Sequence, residues 1–570
     1  MTNNEVSMVL KEISELLELK SENYFRIRAY RQAARQIDHL EEDLTRMVQK
    51  NRLKEIPGIG EGIAKEIESL VRIGKSDALE QTRSEVPTGL RRILGVPGIG
   101  AKSAQKIYQN LGVSDLAHLK EACETGRIQQ IPGFGEKFQQ KILKSIEKIE
   151  STVSNTLLGV GLPVGQRLTK EIEHFPEVDK VEITGSVRRK KEMVQDIDIL
   201  VATDFPKKVM EKIIDLPIVY QILQEKSDSL MVLNTVGIKV DFRFVGKEHF
   251  ITSLLYSTGD DHHIEKLRNL FQVQGVTMAG NGVFDKNNQL IDISSEIEIY
   301  EKIGLQYIPP ELREDKGELE AAKTHQIPPL VERRNLRGDL HVHSCWSDGR
   351  GTIKEMGEAA AKEGHEYLAI TDHSQSLKIA RGLTEDDVKK QIKEISKVDS
   401  ELESIQLFSG IEVDILKNGE LDLSDEILSQ LDFVVASVHQ WLDQSAYDMT
   451  QRICKAMENP LVHAVAHPTG RILGQRPENE LHLDAIFQKA FNTGTALEIN
   501  ATIDRLDLPE KYINAAHRRG VEFLINSDAH GTYALSDLRF GVYVARRAWL
   551  PPQKIVNTKS LEEFKEWLKN

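Results

Sequence analysis

The chain has 570 residues, a net charge of −14 and three widely separated cysteines. This length predicts several domains, because single hydrophobic cores seldom grow beyond about 250–300 residues. The odd number of cysteines argues against a disulfide framework and favours a reducing cytoplasm. Because no apolar stretch approaches a bilayer span and the N-terminus has an amphipathic helix pattern, we expect no membrane partner and no signal peptide.

Three glycine hairpins recur in the first 150 residues, and an amphipathic helix pattern follows each one. Their glycines permit positive φ and close backbone approach, and the helix that follows points free N–H groups outward. Such a turn can hold a phosphate oxygen without reading base sequence. The glycines are Gly58, Gly60, Gly98, Gly100, Gly133 and Gly135. The three copies resemble helix-hairpin-helix motifs, which bind the DNA backbone.

A basic segment, NYFRIRAYRQAARQI, precedes the first hairpin and places Arg28, Arg31 and Arg35 at helical spacing beside Tyr24 and Tyr30. By pattern alone the arginines could equally form a solvated helix face. Beside a phosphate-binding hairpin, we interpret Arg28 and Arg31 as ligands of a second phosphate. The segment resembles the small N-terminal domain of family X DNA polymerases, which binds the 5′-phosphate across a short gap.

One position departs from that family. In its polymerase beta branch, a lysine on the helix after the first hairpin forms a Schiff base with the abasic sugar. The glycines align Glu66 with this lysine, and the adjacent Lys65 diverges from it by about 100° around a helix. We therefore expect the lyase reaction to be weak or absent.

Two aspartates, Asp196 and Asp198, enter an apolar strand pattern in the middle of the chain. Residues two apart in a strand face the same way, so both carboxylates can serve one site. A third carboxylate, Asp241, lies in the strand pattern GIKVDFRFVG. Three aspartates on adjacent strands can hold two Mg²⁺ or Mn²⁺ ions for nucleotidyl transfer.

A glycine-serine turn upstream of these aspartates supplies groups that suit a triphosphate. Gly185, Ser186, Arg188 and Arg189 offer backbone, hydroxyl and guanidinium donors. GSVRR, DID and VDF together resemble the palm of family X polymerases. The resemblance implies that the three aspartates are catalytic metal ligands and that Gly185, Ser186 and Arg189 contact the nucleotide. Gln195 replaces a glycine of the eukaryotic branch.

The segment LLYSTGDDHHIEKLRNLF resembles the start of the family's thumb. The resemblance implies that Tyr256 lies beside the incoming sugar, Asp261 near its base and Arg268 toward the template minor groove. Ser257 stands where an aromatic residue is usual. The DDHH run could instead form a third metal site, but four adjacent residues on a turn or helix start cannot all converge on one ion.

Beyond residue 337, seven apolar runs recur about every thirty residues, the period of a strand and a returning helix. They predict a (β/α)7 barrel, and nearly all of nine potential metal ligands stand directly after a run, where barrel chemistry collects. The nine are His341, His343, Asp348, His373, Glu412, His439, His467, Asp528 and His530. Imidazole and carboxylate without thiolate favour Mn²⁺, Zn²⁺ or iron. Their motifs resemble the PHP phosphoesterase domain, which implies a three-ion cluster of Mn²⁺ or Zn²⁺.

The resemblance covers essentially the whole chain and implies a bacterial or archaeal type of family X polymerase joined to a PHP domain. The implied fold has helical N-terminal domains, an α+β palm and thumb, and the (β/α)7 barrel. The predicted divisions are a gap-binding domain at 1–83, a second helix-hairpin-helix subdomain at 84–150, a palm at 151–245, a thumb at 246–315, a linker at 316–336 and the barrel at 337–570.

This organisation implies a repair polymerase that fills short gaps in base excision repair, with a Mn²⁺-dependent 3′–5′ exonuclease in the barrel. Its expected partners are dNTPs and gapped or nicked double-stranded DNA with a 5′-phosphate, and we expect a cytoplasmic monomer. Incision at abasic sites by the barrel stays open.

Two alternatives belong to other classes of protein. A template-independent nucleotidyltransferase joined to a PHP-type phosphatase would explain both metal sites, but it would not need three DNA-binding hairpins. A DNA-binding scaffold with decayed sites should have lost some ligands, whereas all three palm aspartates and all nine barrel ligands are present.

Overall fold

The computed structural model describes residues 3–20, 22–38, 40, 44–50, 52–73, 76–86, 90, 93, 96, 99–113, 116–151 and 155–569. The chain divides into two compact units. The first comprises Met1–Ser154 and Phe205–Phe242, and the second comprises Asn155–Asp204 and Arg243–Asn570. Among the described helices, none has both the length and the apolar character needed to cross a membrane.

The N-terminal part of the first unit is helical. Its described helices are α1 (Asn3–Leu19), α2 (Tyr24–Asp38), α3 (Leu44–Gln49), α4 (Glu61–Ile73), α5 (Asp77–Glu85), α6 (Ala101–Leu111), α7 (Leu116–Glu124) and α8 (Glu136–Ser151). Helices α4, α6 and α8 each begin directly after the second glycine of a hairpin, as the sequence predicts. Apolar residues at helical spacing on α1, including Leu10 and Ile13, pack into a core with Ile37 of α2.

The palm region begins in the second unit with short elements around the predicted turn. They are β1 (Thr156–Leu157), α9 (Leu158–Glu173), β2 (Lys180–Ile183), α10 (Gly185–Arg188), β3 (Met193–Val194) and β4 (Asp196–Ala202). Strands β2 and β4 pair antiparallel, with Ile183 opposite Ile199. Helix α9 packs close to them, because a Cβ on Gly165 would lie 3.0 Å from Ile183 and 3.1 Å from Ile197.

The chain then returns to the first unit. This stretch contains α11 (Pro206–Ile214), β5 (Val219–Glu225), β6 (Ser229–Asn234) and the start of β7 (Lys239–Val245). Strands β5 and β6 pair antiparallel. Tyr220 of β5 and Leu233 of β6 are buried in the same apolar core as the N-terminal helices, so these strands belong to that unit.

The thumb region follows in the second unit. Its elements are α12 (Phe250–Thr258), α13 (Asp261–Val273), β8 (Thr277–Ala279), β9 (Gly282–Phe284), α14 (Glu296–Glu301) and α15 (Glu318–Lys323). Helix α15 lies inside the segment 316–336 that the sequence suggested as a linker, yet its Leu319 and Ala322 are buried in the thumb core. The charges that made this segment resemble a linker are partly satisfied, because Glu318 pairs with His263. The segment therefore packs as part of the second unit.

Seven parallel strands form the barrel in chain order, and this confirms the predicted architecture. They are β10 (Gly338–Val342), β11 (Tyr367–Ile370), β12 (Gln406–Asp414), β13 (Phe433–Ser437), β14 (Ala464–Val465), β15 (Ala496–Asn500) and β16 (Phe523–Asn526). A bridge between Val342 and Ala529 brings the first and last strands together, so the barrel is nearly closed. The C-terminal ends of all seven strands consequently surround one opening.

Helices connect the strands and cover the outside of the barrel. They are α16 (Ile353–Lys362), α17 (Glu385–Asp399), α18 (Asp425–Leu428), α19 (Ala446–Ala456), α20 (Leu483–Thr493), α21 (Glu510–Arg518), α22 (Leu538–Arg547) and α23 (Leu561–Trp567). Tyr367 at the start of β11 stacks on Phe564 of α23 with ring centroids 4.6 Å apart. This apolar cluster fills the N-terminal end of the barrel, which leaves the opposite end for polar chemistry.

Candidate metal centre and nucleotide site

The nine predicted barrel ligands come together at the C-terminal ends of the strands. Eight of them form three overlapping groups, each with candidate ligand atoms within 4.8 Å of one another. The groups are His343, Asp348, His373 and His530; His341, His343 and Asp528; and His373, Glu412 and His439. The ninth, His467, joins them because its Nε2 lies 3.0 Å from Glu412 Oε1. The overlap is typical of a centre in which several ions share ligands.

The carboxylate of Glu412 occupies the middle of this arrangement. Its Oε2 lies 2.7 Å from His373 Nδ1 and 3.3 Å from His341 Nε2, and its Oε1 lies 3.4 Å from His439 Nε2. The carboxylate of Asp528 plays a similar part beside His343, with Oδ1 3.0 Å from Nε2. Each carboxylate therefore has imidazoles on more than one side.

Several of these donor atoms are buried without a hydrogen-bond partner. They include His341 Nε2, His343 Nδ1 and Glu412 Oε2, which approach their neighbours without hydrogen-bond geometry. Buried polar atoms normally have a hydrogen-bond partner. Nitrogen and oxygen atoms that face one another without hydrogen bonds therefore need another common partner, to which each can offer a lone pair. Divalent cations fit this donor set, because imidazole and carboxylate are ligands of Mn²⁺ and Zn²⁺.

The electrostatics of the cluster favour cations as well. Burial, together with the neighbouring His373 and His530, lowers the pKa of His343 to about 3, so its ring is in the neutral form that ligates metals. Burial would raise the pKa of Asp348, but its hydrogen bond with His530 and the nearby imidazoles hold that pKa at about 2. Burial would also raise the pKa values of Glu412 and Asp528, but neighbouring imidazoles hold both well below their usual range, so these carboxylates stay ionised and attract positive charge.

Two further acidic residues support the ligands from behind. Glu498 on β15 is fully buried; its Oε1 lies 2.7 Å from His341 Nδ1, and its Oε2 accepts a hydrogen bond from the backbone N–H of His467. Asp414 Oδ1 lies 3.0 Å from His439 Nδ1. The second ring N–H of a metal-ligating histidine usually donates a hydrogen bond to such a carboxylate, and this bond fixes the orientation of the ring.

The sequence analysis did not single out Glu498 or Asp414, although a signal for them was present. Each acidic residue stands inside an apolar strand pattern, ALEIN or GIEVD, where a carboxylate is costly to bury without a partner. A buried carboxylate within a strand that leads to the centre indicates a supporting role.

Asp196 and Asp198 lie on β4 with the predicted alternation, because both are half-buried while Ile197 and Ile199 are buried. The two aspartates line a cavity of about 510 Å³ within the second unit. Its other lining residues are Asn155, Gly185, Ser186, Arg189, Lys191, Met193, Gln195 and Ser257. The structure therefore brings the carboxylates and the glycine-serine turn to one cavity.

The turn itself requires glycine at its first position. Gly185 has φ +59°, and a Cβ there would lie 1.8 Å from Asp198 Oδ2. The absence of a side chain lets the carboxylate pack directly against the turn. Ser186 Oγ is buried and has no hydrogen-bond partner, so this hydroxyl can bind a ligand that enters the cavity.

The two arginines after the turn differ in their contacts. Arg188 forms two hydrogen bonds with the carboxylate of Glu296, at 2.9 and 2.6 Å, and one with Thr258 Oγ1. It therefore binds the thumb region, although the sequence suggested a phosphate donor. Arg189 lines the cavity, while its Nε lies 3.1 Å from Glu314 and its Nη1 donates to the carbonyl of Thr258.

The other predicted contacts of the nucleotide lie on β7, α12 and α13. Asp241 is half-buried on β7, on the same face as Lys239 and Arg243. It belongs to the first unit, so its convergence with the other two aspartates stays a prediction. Tyr256 is half-buried on α12, and Asp261 and Arg268 are exposed on α13. Their contacts with the sugar, the base and the template also stay predictions.

The DDHH run does not form a third metal site. His263 is completely buried, with Nδ1 2.6 Å from Glu318 and Nε2 3.2 Å from the hydroxyl of Tyr300. Asp260 instead caps the start of α13 by accepting a hydrogen bond from the N–H of His262. These four adjacent side chains diverge, as expected for a helix start.

The described hairpins have open glycine positions. Gly58 and Gly133 have φ of +85° and +89°, which favours glycine on conformational grounds. At Gly60, Gly100 and Gly135, which are exposed, a Cβ would meet nothing within 4 Å. Internal packing does not require glycine at these three positions, so they suit close approach of an external backbone. Gly98 lies outside the described residues.

The N-terminal basic helix exposes only part of its predicted phosphate site. Arg28 is exposed on α2, whereas Arg31 Nη2 lies 2.7 Å from Glu18 Oε2. On α4, the side chain of Lys65 is 77% exposed and Glu66 is half-buried, so the two diverge as the sequence predicts.

Comparison with known families divides the chain in the same order. A helix-hairpin-helix domain matches residues 1–76, and a SAM-like helix-hairpin-helix tandem matches residues 90–148. The DNA polymerase beta thumb matches residues 253–314, and the PHP domain matches residues 339–502.

Similarity to one characterised sequence extends over the whole length. The chain is 36% identical over 572 residues to the DNA polymerase/3′-5′ exonuclease PolX of Bacillus subtilis (strain 168), with 100% of both chains covered. The chain belongs to family X of the DNA polymerases. Two probable phosphatases, from Syntrophotalea carbinolica and Acetivibrio thermocellus, are 28% and 27% identical over 243 and 240 residues. They cover 40% of this family X chain and 95% and 94% of their own length.

Replacing Glu498 by Gln should weaken metal binding in the barrel, because His341 and His467 lose the carboxylate that orients them. Loss of such a supporting partner typically costs about 10- to 100-fold in metal affinity. Equilibrium dialysis against Mn²⁺, with metal analysis of the protein, measures the change. Glu522→Gln is the control, since Glu522 contacts Trp567 at the other end of the barrel strands. Equal Mn²⁺ affinity in both variants would contradict the supporting role.

Proposed function

We propose that this family X chain is a DNA-directed DNA polymerase that fills short gaps during repair, and that its barrel is a Mn²⁺-dependent 3′–5′ exonuclease. One observation carries the proposal: two separate groups of carboxylates, one at the palm cavity and one in the barrel, occur in a chain similar over its whole length to a polymerase/exonuclease. Two centres with different donor sets suit two reactions.

In the proposed polymerase site, Asp196, Asp198 and Asp241 hold Mg²⁺ or Mn²⁺. When bound, these ions neutralise the charge of a nucleotide triphosphate and of the attacking 3′ oxygen. Ser186 Oγ and the N–H groups at the start of α10 hydrogen-bond the phosphates, and Arg189 adds a guanidinium. Tyr256, Asp261 and Arg268 complete the proposed contacts with sugar, base and template.

In the proposed exonuclease site, the nine barrel residues hold three Mn²⁺ or Zn²⁺ ions. When bound, the ions act as Lewis acids on a phosphodiester. The protein's part is to orient the ligands: Glu498 holds His341, Asp414 holds His439, and the burial of His343 keeps that ring neutral. The closed N-terminal end of the barrel leaves one opening, at which a DNA 3′ terminus would enter.

The proposed DNA partner is a gapped or nicked duplex with a 5′-phosphate. The hairpin glycines contact its backbone, and Arg28 binds the phosphate on the far side of the gap. Support comes from the exposed, unobstructed glycines and the exposed arginine. The domain boundaries predicted from the sequence, except for the linker at 316–336, are part of the same proposal, as are a monomeric state and a cytoplasmic location.

A second function for the barrel is hydrolysis of small phosphomonoesters. It is favoured by the two probable phosphatases, whose own chains match the barrel over nearly their full length. Incubation of the full-length protein and Mn²⁺ with a small chromogenic phosphomonoester, and separately with DNA, distinguishes a phosphatase from an exonuclease. Cleavage of that ester without degradation of a DNA 3′ end would favour the phosphatase.

The two activities should be lost separately. Asp198→Asn should lower primer extension on a gapped duplex by orders of magnitude, because loss of metal-dependent electrostatic stabilisation costs several kcal/mol, about tenfold per 1.4 kcal/mol. The same variant should keep its 3′ degradation, whereas His341→Ala with His343→Ala should show the reverse pattern.

One denaturing gel that resolves extended and shortened primers measures both activities. Asp204→Asn and His517→Ala are the controls: Asp204 is exposed beyond β4, and His517 lies on α21 outside the nine ligands. Near-normal extension by Asp198→Asn would refute the palm assignment. Near-normal degradation by the double histidine variant would refute the barrel assignment.

Extension should also be faster on a gap that carries a 5′-phosphate than on the same gap without it, because Arg28 gains a charge-assisted hydrogen bond. Such bonds contribute about 1.5–3 kcal/mol, so the DNA concentration for half-maximal rate should differ by about tenfold or more. Arg28→Ala with Arg31→Ala should remove the difference, whereas Arg127→Ala, which breaks an exposed pair with Glu121, should keep it. Equal rates of the unsubstituted protein on both gaps would exclude this phosphate site.

A further inference from the structure

A buried ion-pair network in the second unit reaches from barrel helix α22 to the nucleotide cavity. Glu314 is at its centre, with a side chain only 7% exposed. Its Oε1 lies 3.1 Å from Arg189 Nε, and its Oε2 lies 2.7 Å from Arg547 Nη2. Lys316 is 3.0 Å from the same oxygen as Arg547. One carboxylate thus connects a residue of the cavity with a residue of the barrel.

Arg547 contacts Arg189 directly as well. Its Nη1 donates a hydrogen bond of 2.8 Å to the backbone carbonyl of Arg189, and its Nε lies 2.5 Å from Glu510. The side chain of Arg547 is 4% exposed, so solvent does not compete for these contacts. Arg547 therefore holds both the backbone of Arg189 and the carboxylate that holds the Arg189 side chain.

The guanidinium of Arg189 is fixed from three directions by these contacts. Glu314 engages its Nε, the carbonyl of Thr258 accepts from its Nη1, and Arg547 holds the backbone beneath it. The described residues that line the cavity include Arg189 but neither Glu314 nor Arg547. The network therefore reaches the cavity through Arg189, and also through Lys191, whose Nζ lies 3.5 Å from Glu314 Oε1.

The barrel makes a second attachment three residues later. Arg471 Nη2 lies 2.6 Å from Glu192 Oε1, and Arg471 Nε donates to the carbonyl of Arg505. Both attachments hold residues within the short segment between the turn and Asp196. Burying several charges is favourable only when the geometry is good, so such a network imposes a defined arrangement on the groups it joins.

We propose that Arg547 is a positioning residue for nucleotide binding: acting through Glu314, it sets the Arg189 guanidinium where the triphosphate of a dNTP would lie. The inference rests on the proposed polymerase function, because it requires Arg189 to contact that triphosphate. The exonuclease barrel is thereby a structural part of the polymerase site. Nucleotide affinity then depends on a barrel side chain that lies outside the barrel's own metal ligands.

The neighbouring Arg546 offers a matched control on the same helix. Its Nε lies 2.7 Å from Glu311, and its Nη1 donates to the carbonyl of Val331. Arg546→Gln therefore removes the same charge and a similar buried pair from α22, but it leaves the contacts of Glu314 in place. A general loosening of the second unit would affect both variants alike.

Steady-state extension of a gapped duplex by the full-length protein tests the proposal. Arg547→Gln should raise KM for the dNTP about tenfold, as expected for one weakened charge-assisted contact, with kcat within about twofold. Glu314→Gln should have the same effect, since it removes the anchor of Arg189 directly. Arg547→Lys should give an intermediate KM, because lysine restores the charge but not the forked geometry.

Two further readouts separate positioning from misfolding. Both Gln variants should retain 3′ degradation, and their far-UV circular dichroism spectra should match that of the unsubstituted protein. If one Gln variant is misfolded by these criteria, the KM of the other variant decides. If both are misfolded, the KM of Arg547→Lys decides.

The outcomes distinguish this inference from the function on which it rests. If Arg189→Ala leaves KM for the dNTP unchanged, the proposed nucleotide site is wrong, and the positioning role falls with it. If Arg189→Ala raises KM but Arg547→Gln raises it no more than Arg546→Gln, the positioning role alone is overturned. A rise specific to the variants of Arg547 and Glu314 supports it.

Discussion

The barrel centre depends on one constraint, which is that buried carboxylates and imidazoles need a partner that cancels their charge. Glu412 is almost completely buried, and histidines surround both of its oxygens. A lone buried carboxylate would be costly, but a carboxylate shared between cations is stable. The strands that end at this opening and the supporting Glu498 are arranged around that requirement.

The palm cavity meets a similar requirement with fewer groups. Asp198 packs against the bare backbone of Gly185, and Ser186 leaves its hydroxyl unsatisfied beside the carboxylates. Here Arg189 and Lys191 bring positive charge to the cavity, and Glu314 of the thumb region pairs with both. Within the second unit, polar contacts through Glu314 and Arg547 join this cavity to barrel helix α22.

The sequence was sufficient to predict features that depend on periodicity and residue type. The barrel strands, the convergence of the nine barrel side chains and the alternation around Asp196 follow from local patterns that the structure reproduces. Contacts between distant segments could not be predicted in this way. The pairing of Arg188 with Glu296 joins residues 108 positions apart, and no local pattern specifies it. The helix within the suggested linker was missed for the same reason, because its charges are satisfied by residues far along the chain.

We infer that the nine barrel side chains converge because they bind divalent cations. Diffraction from crystals of the full-length protein grown with Mn²⁺, recorded at the manganese absorption edge, tests this claim most directly. We expect three anomalous peaks among the nine side chains, with Glu412 at ligand distance from more than one of them. Well-ordered side chains around water, with no anomalous peak at saturating Mn²⁺, would contradict it.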